Sequence, residues 1–382
     1  MAVLDQQIDR HMLEAVLRTG EPVAAVYLGA APDVTNEYQL QWDTRWRPLA
    51  TRLREQGADE GTVAALEAAV AAPVTTRAAR GSGHVAAFAQ DGRVLALVSL
   101  PDLPGPDLAH YAAPGHVLPL LMWKQERPPY VLVVIDRTGA DLESSIGMAS
   151  LPVRSTVEGP DDEIERNAPG GWEGLTQGRY QRRAEDSWAH NAAAAAEAVA
   201  SALQRTEARV LVVAGDVRAV QLLMERLPTW VHKDVTVKRV SGSRAADGSQ
   251  RTRSDVVASV VREACEEQTA ALWQRFLEER TPNGLAVEGV HSTLAALALG
   301  RVATLLISAD ADASGEQAWM GHAPTEVQPT DRPEPPWTGA RRGALADVAV
   351  RAAILTGAQV RVIPAGAGFG PERGVGAICR HH

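Results

Sequence analysis

Apolar residues recur along this chain with two spacings, and the alternation between them divides it into helices and strands. A helical pattern runs through Leu17, and Pro22–Ala30 (PVAAVYLGA) is a short apolar run that reads as a strand. Residues 36–72 read as two helices separated near Gly57. HVAAFAQDGRVLALVSL (84–100) holds two strand-like runs hinged on Asp91-Gly92, a dipeptide suited to a two-residue hairpin turn. Residues 100–119, rich in Pro and Gly, read as extended loop. Val131–Ile135 has the unbroken apolar character of a central strand covered on both faces; a turn over Asp136–Gly139 and a partner strand follow. Residues 177–206 form the longest helix candidate, built on an alanine run of high helix propensity. Strand 208–216, helix 217–228 and strand 234–240 make a βαβ succession, which predicts parallel pairing. A long helix follows, with Ser254 as N-cap and Asn283-Gly284 as its stop. The last part predicts a helix at 289–300, a strand at 302–309, a polar excursion over Asp310–Thr338, a helix at 343–358 and strands at 359–365 and 374–380. The fold class is α/β, in three units: 1–128, 129–280 and 281–382.

A chain of 382 residues, 45% hydrophobic and 22% charged, suits two or three folded domains. Its two cysteines, Cys265 and Cys379, exclude a disulfide framework and a Cys-based zinc site of the usual spacing, and fit a reduced, cytoplasmic setting. Asp5, Asp9 and Glu14 break any signal-peptide core, and no stretch approaches the roughly 18 apolar residues of a spanning helix, so no membrane is expected as a partner.

A net charge of −9 argues against nucleic-acid binding along a whole face. The distribution is more informative than the sum. Lys233, Lys238, Arg239, Arg244, Arg251 and Arg253 gather between residues 233 and 253, opposed there only by Asp234 and Asp247, and Arg179, Arg182 and Arg183 form a second basic group. These locally basic segments could touch RNA phosphates at points; ordinary solvated arginines would look the same.

Other chemistry finds little support. No G-x-G-x-x-G follows a strand and no Walker pattern occurs, so no nucleotide cofactor is expected. GAGFGPERG (366–374) precedes a strand, not a helix, and lacks the helix terminus that would favour an anion. Asp136 and Arg137 lie in a stretch with turn chemistry. His190, His291 and His381-His382 are scattered, none with an acidic partner at metal spacing, so no metal is expected. The Asp161-Asp162 pair reads as a solvated loop, and no G-x-S-x-G marks a serine hydrolase.

YVLVVIDRTGADLESSIG (130–147), AVEGVHSTLAALALGRVATLLIS (286–308) and GAQVRVIPAGAGFGPERGVGAICR (357–380) together resemble the archaeal and eukaryotic class-1 release-factor and Pelota family. The chain is more similar to its bacterial branch, the Balon-like ribosome hibernation factors. The likeness spans about the last two-thirds, with a weaker match in VAAVYLGA and HVAAFAQDGRVLALVSL. It implies a three-domain release-factor-like architecture, each domain a mixed sheet with packed helices. It also implies a tRNA-shaped factor for the A site of the 70S ribosome, between 16S and 23S rRNA, with elongation factor Tu or another translational GTPase as a further partner.

NAPGGWEGLTQGRYQRRAEDSW (167–188) stands where release factors carry a Gly-Gly-Gln tip. There, small residues let the backbone enter a crowded centre, and the glutamine helps position water against the peptidyl-tRNA ester. Gly170 and Gly171 are present, but Trp172 takes the third place, and an indole cannot imitate a carboxamide. Arg179, Tyr180 and Arg182 resemble the Arg-aromatic-x-Arg pattern that follows the tip. The expectation is a ribosome-binding factor of hibernation or protection that has lost hydrolysis and binds through Gly170, Gly171, Trp172 and Gln177. The alternative is a peptidyl-tRNA hydrolase or rescue factor using Gln177.

Overall fold

The computed structural model describes residues 8–29, 38–71, 84–100, 105–145, 152–158, 177–244, 250–311 and 315–381, with backbone alone at 38–42, 177–187 and 250–254. The chain divides into two compact units, one made of residues 1–125 with 268–382 and the other of residues 126–267.

In the first unit, β1 (Val23–Gly29) is buried along its whole length. It pairs antiparallel with β2 (His84–Gln90) and β4 (Leu108–Ala112), and β3 (Arg93–Leu100) completes an antiparallel sheet ordered β3-β2-β1-β4. Asp91 and Gly92 take φ of 49° and 72°, the left-handed pair that a two-residue hairpin requires. Ala24, Val26 and Leu28 pack under α2 (Tyr38–Glu55) and α3 (Glu60–Ala71), against Trp46, Leu53, Val63 and Leu66. On the opposite face, by the period-two alternation of a strand, the Tyr27 hydroxyl donates to the His116 carbonyl at 2.9 Å. β4 corrects the reading of residues 100–119 as loop. Its five residues sit between Pro- and Gly-containing flanks, too few for alternation to register, yet they pair with β1 and set His110 opposite Ala25.

The C-terminal part of this unit runs β10 (Ala286–Glu288), α9 (Val290–Ala298), β11 (Val302–Ser308), β12 (Gln317–Met320), β13 (Val327–Pro329), β14 (Arg341–Ala344), α10 (Leu345–Leu355), β15 (Gln359–Ile363) and β16 (Val375–Cys379). The main sheet, β10-β16-β11-β15, is parallel only between β11 and β15. Strands β12, β13 and β14 form a second, antiparallel sheet inside and just beyond the stretch read as a polar excursion. They have three or four residues each, so no periodicity announces them, although Trp319, Met320 and Val327 are buried. Both cysteines are buried and neither is in a disulfide, and burial pushes the Cys379 thiol up.

Three contacts bind the two ends of the chain into this one unit. Arg351 of α10, with 0% exposure, donates from Nε to the Leu17 carbonyl (3.0 Å) and from Nη2 to the His322 carbonyl (2.7 Å). Leu17 is the last residue of α1 (Arg10–Leu17), so the cation meets the negative end of that helix. Gln125 of α4 (Leu118–Glu126) donates to the Val362 carbonyl (2.7 Å) and accepts from the Val362 N–H (2.8 Å), pairing with edge strand β15 as a neighbouring strand would. Arg341 pairs with Glu21 at 2.7 Å.

The second unit is built on a five-stranded sheet ordered β7-β6-β5-β8-β9, from β5 (Tyr130–Ile135), β6 (Gly139–Ser145), β7 (Val153–Glu158), β8 (Val210–Gly215) and β9 (Thr236–Arg239). The βαβ reading holds: β8 is parallel to both β5 and β9, while β5-β6 and β6-β7 are antiparallel. Val131, Val133 and Ile135 face α5 (Gln177–Thr206) and α6 (Val217–Arg226). Leu132 and Val134 face Val257, Val261 and Ala264 of α8 (Gln250–Glu279), so β5 is covered on both sides as expected. The short helix α7 (Thr229–Asp234) was not anticipated, nor was β7, an edge strand exposed at nearly every position. Helix α8 begins four residues before Ser254, because Gln250, Arg251 and Arg253 are good helix formers; Ser254 is not its N-cap. Gly215 has φ 131°, and a β-carbon there would collide with the Ile135 carbonyl, so the end of β8 admits only glycine.

Replacing Arg351 with Met should lower stability by about 3 kcal/mol. The buried Leu17 carbonyl and the part-buried His322 carbonyl lose their donor at ~1–3 kcal/mol each, partly offset by removing a desolvated cation. A urea midpoint indistinguishable from that of the parent protein would show that these bonds contribute nothing.

Candidate functional site

Gly170, Gly171 and Trp172 lie outside the described residues. Gln177 is the first residue of α5, and positions 179, 182 and 183 follow within its first two turns. Their i, i+3, i+4 spacing places these three Cα positions on one side of the helix. Thirty residues make α5 about 45 Å long.

The carboxyl ends of β5 and β8 carry a polar network. Asp136 accepts from the Thr138 N–H (2.8 Å), the Thr138 hydroxyl (2.7 Å) and the Gly139 N–H (3.1 Å), which makes it the organiser of the expected turn. Asp216, at the end of the adjoining strand, caps α6 by accepting from the Arg218 and Ala219 N–H groups. Asn191 of α5 donates to the Arg137 carbonyl at 3.0 Å and fastens that helix to the same turn. Arg244 joins from the segment after β9. Its Nη1 donates to Asp136 (3.0 Å) and Thr138 (2.9 Å), and its Nε and Nη2 grip the two oxygens of Asp141 at 3.1 and 3.2 Å. Open α/β sheets commonly bind ligands at such strand ends; here the groups satisfy one another.

The basic residues between 233 and 253 are therefore not one patch. Arg244 is held by two carboxylates, and Lys238 Nζ sits 2.6 Å from Glu267 and 4.0 Å from Glu263 of α8. Lys233, on α7, and Arg239, at the end of β9, are exposed. Arg251 and Arg253 lie in the first turn of α8.

In the first unit, the structure corrects the view that no histidine meets an acidic partner. His291 Nε2 lies 2.8 Å from Asp331 at the surface. More notably, His116 Nδ1 lies 3.0 and 3.1 Å from the two oxygens of Asp347, across 231 residues of sequence. The His110 ring is 4.8 Å from that of His116, centroid to centroid. Burial holds His110 below the usual imidazole range, and the neighbouring His116 charge adds to this while Asp347 opposes it. No local spacing could have joined a residue of β4 and one of the following loop to the third residue of α10.

Burial alone would push the Asp136 carboxyl up, but the hydrogen bonds from Thr138 and Arg244 outweigh it and hold the group below its ordinary 3.8. A carboxylate depressed in the folded state stabilises the protein above its unfolded pKa, and that contribution is lost as pH falls through the lower folded value. Arg244→Met should therefore cost about 1 kcal/mol near pH 7 and flatten the decline in stability below about pH 4. Parallel urea titrations of parent and variant from pH 7 to 2.5 would measure both; an unaltered pH profile would rule out the coupling.

Residues 129–281, which hold all of this sheet, match the model of bacterial archaeo-eukaryotic release factor family 2. Two curated relatives, the uncharacterized proteins Rv2629 (strain H37Rv) and MT2704 (strain CDC 1551) of Mycobacterium tuberculosis, are each 27% identical over 287 residues, covering 75% of this chain and 74% of theirs. Among solved structures, the archaeal translation termination factor aRF1 aligns over 97% of this chain and 96% of its own, at 16% identity and a TM-score of 0.25. Dom34 of S. cerevisiae aligns over 72% of this chain and 75% of its own, at 10% identity and a TM-score of 0.40. Archaeoglobus fulgidus Pelota aligns over 78% and 79%, at 16% identity and 0.33. Scores this low establish no shared arrangement of whole chains, so the assignment rests on the sequence of the middle segment. The match to bacterial archaeo-eukaryotic release factor family 2 is thus a property of residues 129–281, the segment that builds this sheet.

Proposed function

We propose that this protein is a ribosome-binding factor that occupies the A site in place of tRNA and protects idle 70S ribosomes without hydrolysing peptidyl-tRNA. One observation carries the reading. A release-factor middle segment is retained over residues 129–281, yet Gly170 and Gly171 are followed by Trp172 where the water-positioning glutamine is required. Glutamine's amide can hold water against an ester; the indole has one N–H donor, no acceptor and greater bulk. Helix α5, anchored at Asn191 and packed along β5 and β6, supplies a stiff stem for the preceding segment. Retaining the stem and losing the amide fits occupancy of the peptidyl-transferase side without chemistry there.

The phosphate contacts of this reading fall on Arg179, Arg182 and Arg183, with exposed Lys233 and Arg239 and with Arg251 and Arg253. Lys238 and Arg244 are engaged by their own carboxylates and contribute less. A translational GTPase, with elongation factor Tu as the expected one, would meet the C-terminal domain. Reversing Arg179, Arg182 and Arg183 to Glu should weaken co-pelleting with 70S ribosomes at least about tenfold and reduce the steepness of its salt dependence. Unchanged pelleting would remove these residues from the interface.

A second reading rests on Gln177, which heads α5 directly after the tip segment and offers the only glutamine between Gly171 and Arg179. In that reading the protein is a peptidyl-tRNA hydrolase or rescue factor. Programmed ribosomes carrying labelled peptidyl-tRNA separate the two: the first expects release no faster than background. Release that disappears on Gln177→Ala would establish the second.

A further inference from the structure

Three side chains, two from residues 110–116 and one from α10, converge in the first unit. Asp347, 1% exposed, stands in the first turn of α10. His116 is buried, with its backbone fixed by the Tyr27 hydroxyl. His110 is fixed by the pairing of β4 with β1. One ligand atom from each lies within 4.8 Å of the other two.

The His116–Asp347 contact does not by itself account for this group. His110 Nδ1 is wholly buried and has no hydrogen-bond partner among the described residues. Leaving such a nitrogen unpaired is costly. The contact between His116 and Asp347 leaves His110 Nδ1 unsatisfied. A dication would answer His110 Nδ1 and the Asp347 charge at once, drawing on two neutral imidazoles and one carboxylate.

We propose that His110, His116 and Asp347 form a binding site for a first-row divalent cation, with Zn2+ as the expected occupant. Two imidazoles and a carboxylate are a donor set that zinc accepts, with a fourth position open to water. Zinc bonds of about 2.1 Å in a tetrahedron put ligand atoms about 3.4 Å apart. The 3.0 and 3.1 Å between His116 Nδ1 and the Asp347 oxygens are close to that spacing, and His110 needs to approach by roughly an ångström. Because two ligands come from residues 110–116 and the third from α10, the ion would cross-link the N-terminal sheet to the C-terminal helix.

The test uses the full chain stripped with a chelator and titrated with Zn2+ in a calorimeter, and separately with Co2+ by visible absorption. The site predicts one tight equivalent of Zn2+ and cobalt bands of the intensity given by a tetrahedral centre. His110→Ala should weaken binding about a hundredfold or more, beyond the 10–100-fold typical of altering an outer-shell partner. It should leave the fold of the metal-free protein intact, as judged by circular dichroism, since His110 Nδ1 makes no hydrogen bond in it. Asp347→Asn, which keeps the shape of the side chain, should also lose the equivalent. Absence of a stoichiometric equivalent in the parent protein, or equal binding by His110→Ala, would overturn the proposal and assign any residual binding to exposed histidines such as His291 and His381.

Discussion

The first unit depends on a guanidinium with no access to water. Arg351 lies at the meeting point of α1, α10 and the loop that carries His322, and it spends its donors on main-chain carbonyls instead of a carboxylate. A cation placed so is useful only when every carbonyl is at its station, because desolvation penalises it otherwise. Burial lowers its pKa, with Glu326 as the opposing influence. This is a demanding constraint, and it selects one arrangement of segments more than three hundred residues apart in the chain. The Gln125–Val362 amide pair and the Arg341–Glu21 ion pair are weaker guides to the same end. The exposed pair contributes little on its own.

The second unit follows a different logic. Its stability comes from a sheet covered on both faces, with Val131, Val133 and Ile135 turned one way and Leu132 and Val134 the other. Polar groups gather at the strand ends, where turn, helix cap and cation are shared among Asp136, Asp216 and Arg244. Two of the basic residues, Lys238 and Arg244, are absorbed in holding this scaffold, which narrows the proposed RNA-contacting set to the starts of α5 and α8 and to exposed positions near β9. The functional reading therefore turns on a rigid stem whose support is visible and on a tip whose composition departs from that of release factors.

Elements with strong local signals were legible in the sequence. The unbroken run of β5, the Asp91-Gly92 hairpin, the alanine-rich helix and the βαβ succession each follow from a single local rule. Failures occurred where the rule needs more residues than the element has. Strands β4, β10, β12 and β13 have three to five residues each, and β7 faces solvent at nearly every position, so alternation of apolar and polar residues never develops. Serine favours a cap position, but the neighbours of Ser254 propagate a helix that starts at Gln250. The His110, His116 and Asp347 group was beyond local reading altogether, since its members are joined by pairing between β1 and β4 and by the packing of α10. The match to the release-factor family model, in contrast, falls on one contiguous segment, residues 129–281.

The discontinuity of the first unit bears on how the chain is made. Residues 1–125 leave the ribosome first, but their counterpart cannot begin to emerge until the whole of 126–267 has been synthesised. At about 5–20 residues per second that interval lasts on the order of 10 s. During it the intervening segment, contiguous as it is, can complete its own sheet, whereas the nascent N-terminal portion must persist half-assembled. The end of α1 and the imidazole of His116 wait at least as long for their partners, Arg351 and Asp347 of α10.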